Sequence, residues 1–300
     1  MNRGQRVTSG LVAVAASASL LVVGTPSAHA AAKYYTVVAH RGDQNDAPEN
    51  TVAAFRKAVA KGTDAIEMDI QYSSSNYPVV LHDSTLDRTT NCSGKVAKKS
   101  RTQLRGCDAG SWFGSKFKGE HVPSLQEALA VIAPARQTRV ILHMKVTPDS
   151  TQAQRTMDAA KAYGMADRII VLASNSATIS KMKSAGFRTI AYIFNSSAGW
   201  DKNYPIMIPY DTALNSSRID AVHRRGGVVW PVENHPASLK SMLTEAKVDG
   251  ILTNHLTGLL DLLGSPPETV KTSAAPKTSD GAKRVAHDED FGDEETRPRG

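Results

Sequence analysis

Residues able to do acid–base, metal and phosphate chemistry stand at the ends of short apolar runs in this sequence. The run "YYTVVAH" ends in His40 and is followed by Arg41. "AIEMDIQY" carries Glu67 and Asp69, two positions apart. "PVVLH" ends in His82 and meets Asp83, and "RVILHMKV" carries His143 and Lys145, again two apart. In an extended strand, side chains at i and i+2 share a face. Glu67 and Asp69 therefore form an oxygen-rich pair suited to a hard divalent cation such as Ca²⁺ or Mg²⁺. His40 and His82 are candidates for general base and general acid. Arg41 and Lys145 supply positive charge for a phosphate. A divalent metal, two histidines and two cations together fit phosphodiester cleavage. Singly, each of these residues reads as easily as a solvated strand end or a satisfied core group. The joint pattern carries the inference.

Such residues need a scaffold that brings strand ends together. Nine β-branched apolar runs, from "YYTVVAH" to "GILTN", alternate with amphipathic segments such as "NTVAAFRKAVAKG" and "TQAQRTMDAAKAYG". Several of the amphipathic segments end in Gly, a helix-stop signal. Alternation over this length predicts a parallel α/β fold, and about eight units predict a closed (β/α)8 barrel of the TIM type. A doubly wound open sheet is the second choice, and no G-x-G-x-x-G follows a strand to favour dinucleotide binding. In a barrel, active sites gather at the C-terminal ends of the strands, where the polar residues above lie. One link departs from the alternation. Only "SSSNYP" separates "AIEMDIQY" from "PVVLH", which is too short for a crossover helix and predicts an antiparallel hairpin. A turn centred near Ser75 folds His82 back opposite Glu67 or Asp69. The stretch of about 84–122 carries both cysteines, several glycines and basic residues, and reads as an irregular insertion over one end of the barrel.

Composition frames the rest. The chain has 300 residues, 41% of them hydrophobic, ample for a buried core. Residues 1–30 combine two arginines, the apolar run "LVAVAASASLLVVG" and an Ala-x-Ala ending, the pattern of a cleaved secretory signal peptide. The run is shorter than a membrane span requires, so the expectation is a secreted protein with no stable membrane anchor. Loss of Arg3 and Arg6 takes the formal charge from +7 to +5. That charge is scattered and shows no basic block interleaved with aromatics, so nucleic acid is not an expected partner. Two cysteines in an exported chain predict a Cys92–Cys107 disulfide. Residues 265–300 are rich in Pro, Ser, Thr and charge and lack apolar periodicity, which predicts a disordered tail after a folded unit at 33–264.

The motifs "HRG" with "PENT" downstream, then "EMDIQ", "VVLHD", "LDRTTNCSGKV" and "DAGSWFG", together resemble the glycerophosphodiester phosphodiesterase family. The resemblance is dense over Val37–Leu129 and persists in "VDGILTN" near the end. It implies a (β/α)8 barrel with a small insertion after the hairpin. It implies His40 and His82 as acid and base, Arg41 as a phosphate contact, and Glu67 and Asp69 as ligands of one divalent metal. Glu49 of "PENT" stands near the site in the family, either as a further ligand or as a carboxylate favoured at a helix start. The family often has a tryptophan near Trp230, close to substrate, where a barrel-core aromatic is the alternative. Trp112 and Phe113 either wall the pocket or pack the insertion.

Two positions depart from the pattern. His143 stands where the family has the glutamate of an "E-x-K" motif, although Lys145 is kept. Imidazole in place of a hard oxygen ligand weakens Ca²⁺ or Mg²⁺ binding and favours Zn²⁺, Mn²⁺ or another transition ion. Asn254 stands where the family often has aspartate. The resemblance implies hydrolysis of glycerophosphodiesters to glycerol 3-phosphate and an alcohol. Small anionic substrates such as glycerophosphocholine and glycerol-phosphate wall polymers both suit an exported enzyme. The alternatives are a phospholipase D-like enzyme acting on intact choline phospholipids, or a barrel that binds phosphodiesters without cutting them.

Overall fold

The computed structural model describes residues 35–210, 214–244 and 247–264. The expected signal segment and C-terminal tail lie outside the described residues. The barrel strands are β1 (Thr36–Ala39), β2 (Ala65–Tyr72), β4 (Arg139–Met144), β5 (Ile169–Ala173), β6 (Thr189–Phe194), β7 (Ile206–Pro209), β8 (Val228–Val229), β9 (Val232–Glu233) and β10 (Gly250–Thr253). Neighbours pair in parallel in the order β8–β7–β6–β5–β4–β2–β1–β10–β9. The two ends of that order are one stretch of chain. β8 pairs with β7 and β9 pairs with β10, with only Trp230 and Pro231 between them. Pro231 has no N–H to give to a ladder, which explains the break. Its carbonyl still accepts from Leu252, and the Trp230 N–H donates to Met207. The sheet therefore closes into an eight-stranded barrel.

Alternation along the strands sorts the core into two shells. Val38, Ala65, Ile141, Ile170, Leu172, Ala191, Ile206 and Leu252 fill the barrel interior. Their sequence neighbours, including Ile66, Val140, Val171 and Met207, pack outward against the helices. The helices α1 (Val52–Ala60), α3 (Leu125–Ile132), α4 (Ser150–Ala162), α5 (Ser176–Ser184), α6 (Ser216–Arg224), α7 (Ser238–Thr244) and α8 (Leu256–Leu262) surround them, and the short α2 (Arg101–Arg105) lies in the insertion. One outer position has no α-helix among the described residues. A 3-10 turn at Ser197–Asp201 links β6 to β7. Tyr192 stacks on Phe194 and Tyr204 there, and Trp200 meets Phe194 edge-on. These rings cover the flank that a helix covers elsewhere.

The short link forms a hairpin as its length requires. β3 (Pro78–Val80) runs antiparallel to β2, with Ile70 facing Val80 and Tyr72 facing Pro78. That register centres the turn on Ser75 and, extended, sets His82 across from Met68, between Glu67 and Asp69. The insertion has its own small core of Leu86, Val96, Leu104, Cys107 and Val122. It is closed by the Cys92–Cys107 disulfide, with sulfurs 2.07 Å apart. No helix among the described residues is long and apolar enough to cross a membrane.

Candidate active site

The β1–α1 loop builds the first half of the site. His40 and Arg41 leave the end of β1, and Arg41 takes a left-handed backbone at φ 56°. Gly42 follows at φ 77°, and a Cβ there would lie 2.8 Å from Ala54. Only glycine fits that turn. Asn50, a second left-handed residue at φ 58°, donates its N–H to the Arg41 carbonyl and so closes the loop. The N-cap of α1 is Thr51, which accepts from the Ala54 N–H. Asn50 is thereby free for another task. Its amide donates to Asp69 Oδ2 at 2.8 Å and accepts the Asp69 N–H at 3.2 Å. Asn50 is a site residue that the sequence analysis did not single out.

Glu67 and Asp69 are fully buried on the inner face of β2. In the β2–β4 register Asp69 faces His143. His143 Nδ1 lies 3.1 Å from Asp69 Oδ1 and 3.4 Å from Glu67 Oε1. Lys145 Nζ is 3.5 Å from Asp69 Oδ1, and Arg41 Nε is 3.2 Å from Asp69 Oδ2. Burial alone would raise the Asp69 pKa, but His143, Arg41 and Lys145 outweigh it and hold the carboxyl well below its ordinary range. Burial likewise works against charge on His143, and the two carboxylates outweigh it and raise its pKa.

Glu67 Oε1 and Asp69 Oδ1 are buried and receive no well-aligned hydrogen bond, although His143 Nδ1 lies 3.4 and 3.1 Å from them. A buried carboxylate oxygen in that state is costly unless something positive occupies it. One ligand atom from each of Glu67, Asp69 and His143 falls within 4.8 Å of the others. Two oxygens and one imidazole nitrogen are a chemically sound donor set for a divalent cation, so these residues fit one. Glu49 does not join them. Its Oε1 accepts from Arg41 at 2.9 Å and from Arg88 at 2.8 Å, and its Oε2 accepts from Arg88 at 2.9 Å. Both oxygens are taken by guanidinium groups, which explains its lowered pKa despite burial. Glu49 grips two arginines and lies outside the candidate metal triad of Glu67, Asp69 and His143.

The two histidines sit in different surroundings. His40 Nδ1 lies 2.6 Å from Asn254 Oδ1. The Asn254 amide nitrogen donates to the Glu233 carbonyl, so its oxygen is the atom that faces the ring. The Nδ1 of His40 therefore carries the proton and Nε2 carries the lone pair. Nε2 points toward Glu67, 3.8 Å from Oε2. Burial is the main cause of the lowered His40 pKa, which favours the uncharged ring. His82 stands one residue past Leu81, whose N–H donates to the Asp69 carbonyl. Its Nδ1 donates to Asp83 Oδ1 at 2.6 Å, leaving Nε2 free.

Trp230 is placed differently from the others. It is buried in the barrel interior, and its indole lies where a Cβ on Gly250 would be 2.9 Å away. Gly250 opens β10, below the mouth, so this ring fills the barrel core. Tyr210 was missed by sequence reasoning. It follows Ile206 and Ile208 on the inner face of β7. Burial raises its phenol pKa, and it feels the charges of Arg41, Glu67 and Asp69. Its only sequence signal was a polar aromatic at a strand end. Trp112 is 46% exposed on the insertion and donates its indole N–H to Ala109.

A barrel mouth that gathers an amide-paired histidine, a carboxylate-paired histidine, two cations and buried acids has the equipment of a phosphodiester hydrolase. Comparison with known proteins narrows the class. A family profile described as the glycerophosphoryl diester phosphodiesterase family matches residues 40–190. A glycerophosphodiester phosphodiesterase of Caldanaerobacter subterraneus subsp. tengcongensis is 34% identical over 241 residues, covering 76% of this chain and 97% of its own length. Among solved structures, an Oleispira antarctica phosphodiesterase in complex with its product sn-glycerol-3-phosphate superposes with a TM-score of 0.70 at 23% identity, covering 77% of this chain and 98% of that one. A glycerophosphodiester phosphodiesterase of Agrobacterium tumefaciens does so with a TM-score of 0.66 at 25% identity, covering 76% and 99%. The chain belongs to the glycerophosphodiester phosphodiesterase family.

Proposed function

We propose that this chain is an exported hydrolase that cleaves glycerophosphodiesters to sn-glycerol 3-phosphate and an alcohol, with one divalent metal held by Glu67, Asp69 and His143. The observation that carries the reading is the convergence of one ligand atom each from buried Glu67, Asp69 and His143 within 4.8 Å, with Arg41 and Lys145 beside them. A bound divalent ion would supply Lewis-acid polarisation of a phosphoryl oxygen and offset developing negative charge. Arg41 and Lys145 bind the phosphate and orient it. His40 takes the proton of the attacking glycerol hydroxyl at Nε2, and a water molecule then opens the cyclic phosphate so formed to give glycerol 3-phosphate. Its partner at Nδ1 is a neutral amide, which favours the uncharged base. His82 delivers a proton from Nε2 to the leaving alcohol. Its partner is the Asp83 carboxylate, which holds the ring at Nδ1 and aims Nε2 away from it. Asn50 and the buried strand fix the Asp69 carboxylate so that little reorganisation is needed. The N-terminal segment supports export, and a glycerol-phosphate headgroup or wall polymer suits that destination.

The test is glycerol 3-phosphate release from glycerophosphocholine by the metal-stripped mature chain, with Ca²⁺, Mg²⁺, Mn²⁺ and Zn²⁺ added in turn. Activity restored by a divalent ion and absent in His40→Ala is the expected result. Full activity in the presence of a strong chelator would refute the role given to the metal.

A further inference from the structure

We propose that Arg88, carried by the insertion, is a positioning residue that locks the acid–base half of the site to its phosphate half. This rests on the roles given above to His82 and Arg41. The Arg88 guanidinium spans two carboxylates. Nε donates to Asp83 Oδ2 at 2.6 Å and Nη2 to Asp83 Oδ1 at 3.3 Å. Nη1 donates to Glu49 Oε2 at 2.9 Å and Nη2 to Glu49 Oε1 at 2.8 Å. Each carboxylate then holds one functional group. Asp83 holds His82 at Nδ1, and Glu49 holds Arg41 at Nη1. The chain His82–Asp83–Arg88–Glu49–Arg41 is continuous, and Arg88 is its middle member.

An isolated exposed ion pair would contribute little, and the Arg88 side chain is 45% exposed. This one differs in two respects. Its planar fork makes paired contacts with both partners, a geometry that lysine cannot reproduce. Its backbone is also fixed on both sides. Leu86 is buried in the insertion core and receives an N–H···O bond from Thr90, while its own N–H donates to Gly94. Cys92, four residues after Arg88, is tied to Cys107. The insertion therefore presents the guanidinium from a stapled loop. Without Arg88, the half-buried Asp83 is free to rotate away from His82, and Glu49 is left with Arg41 alone. Arg88 touches neither metal ligands nor reacting atoms and acts through its two partners.

The experiment is steady-state kinetics on Arg88→Ala, Asp83→Asn, Glu49→Gln and the Arg88→Ala/Asp83→Asn double variant, with His82→Ala as reference and thermal melts on all. Arg88→Ala is expected to lower kcat on the order of 10²-fold and to raise KM as well. Asp83→Asn moves mainly kcat, and Glu49→Gln mainly KM. If Arg88 acts through Asp83, the double variant loses little more kcat than either single one. Sub-denaturing guanidinium restores part of the Arg88→Ala rate, whereas an equal concentration of ammonium does not. If Arg88→Ala fails to fold, Arg88→Lys enters the same cycle, with reduced kcat expected there too. Parental kcat and KM in the Arg88 variant, or fully additive losses in the cycle, would overturn the proposal while leaving the site reading intact. Parental turnover in His82→Ala overturns the site reading, and the proposal with it.

Discussion

Replacing His143 by glutamate tests the metal centre most directly. The imidazole lies 3.1 Å from Asp69 and 3.4 Å from Glu67. His143→Glu puts a third carboxylate into a buried space that already holds two. At an effective dielectric of about 20, two like charges about 4 Å apart cost about 4 kcal/mol. Arg41 and Lys145, 3.2 and 3.5 Å from Asp69, absorb part of that. Protonation of one carboxylate absorbs more, leaving a net cost of about 2 kcal/mol. For a folded unit of this size the metal-free melting temperature then falls by about 4–8 °C. A cation at a hundred times its Kd returns about 2.7 kcal/mol, or about 5–11 °C. The parent and the variant are stripped of metal and melted with Ca²⁺, Mg²⁺, Mn²⁺ or Zn²⁺. The parent should be stabilised more by Zn²⁺ and Mn²⁺, because it offers imidazole nitrogen. The variant should be stabilised more by Ca²⁺ and Mg²⁺, because it offers only oxygen. The same metal order in both proteins would refute this account of His143. Metal shifts that survive Glu67→Gln/Asp69→Asn would refute the location.

Four further outcomes are expected. His40→Ala and His82→Ala should each lower kcat by about 10²–10⁴-fold with little change in melting temperature, checked by turnover of glycerophosphocholine alongside circular dichroism. Asn254→Leu leaves the His40 Nδ1–H without its acceptor, so kcat should fall while KM stays near the parent; the ¹⁵N shifts of His40 should report a mixed tautomer. Reducing Cys92–Cys107 opens a loop of sequence separation 15 and should lower stability by about 3 kcal/mol, read as a lower melting temperature in dithiothreitol. Glu127 caps α3 through Ser124 and pairs with His121, and although burial opposes it, these partners lower its pKa from 4.5 to about 2. A depressed carboxylate pKa adds stability above the unfolded value, and that stability is lost as pH falls through the folded value. Melting temperature should thus drop between about pH 4.5 and pH 2, and Glu127→Gln should flatten that part of the curve.

Much of the architecture was legible because local chemistry forces it. Alternating strand and helix patterns admit few folds, and the barrel is one of them. Six residues between "AIEMDIQY" and "PVVLH" allow only a hairpin, and its register centres on Ser75 as the spacing requires. Two cysteines had one possible intramolecular pairing, and it is present. Glu67 and Asp69 share a face because strand geometry has a period of two. His143 reaches them because parallel pairing sets it beside Asp69.

Contacts made across sequence distance were not legible. Whether Glu49 would ligate metal or grip arginine depended on Arg88, 39 residues away. Whether Asn50 would cap a helix or hold Asp69 depended on the left-handed turn that Arg41 and Gly42 impose. Trp230 lies at a strand end in sequence, but the break at Pro231 and the space above Gly250 send its ring into the barrel core. Asn254 became the group that fixes the His40 tautomer only when β10 was laid beside β1. The sequence by itself determined which chemistry was available and which strands would carry it, because periodicity and residue type act locally. Only the tertiary structure decided which partner each charge would take, because closing the barrel brings together groups that the chain keeps far apart.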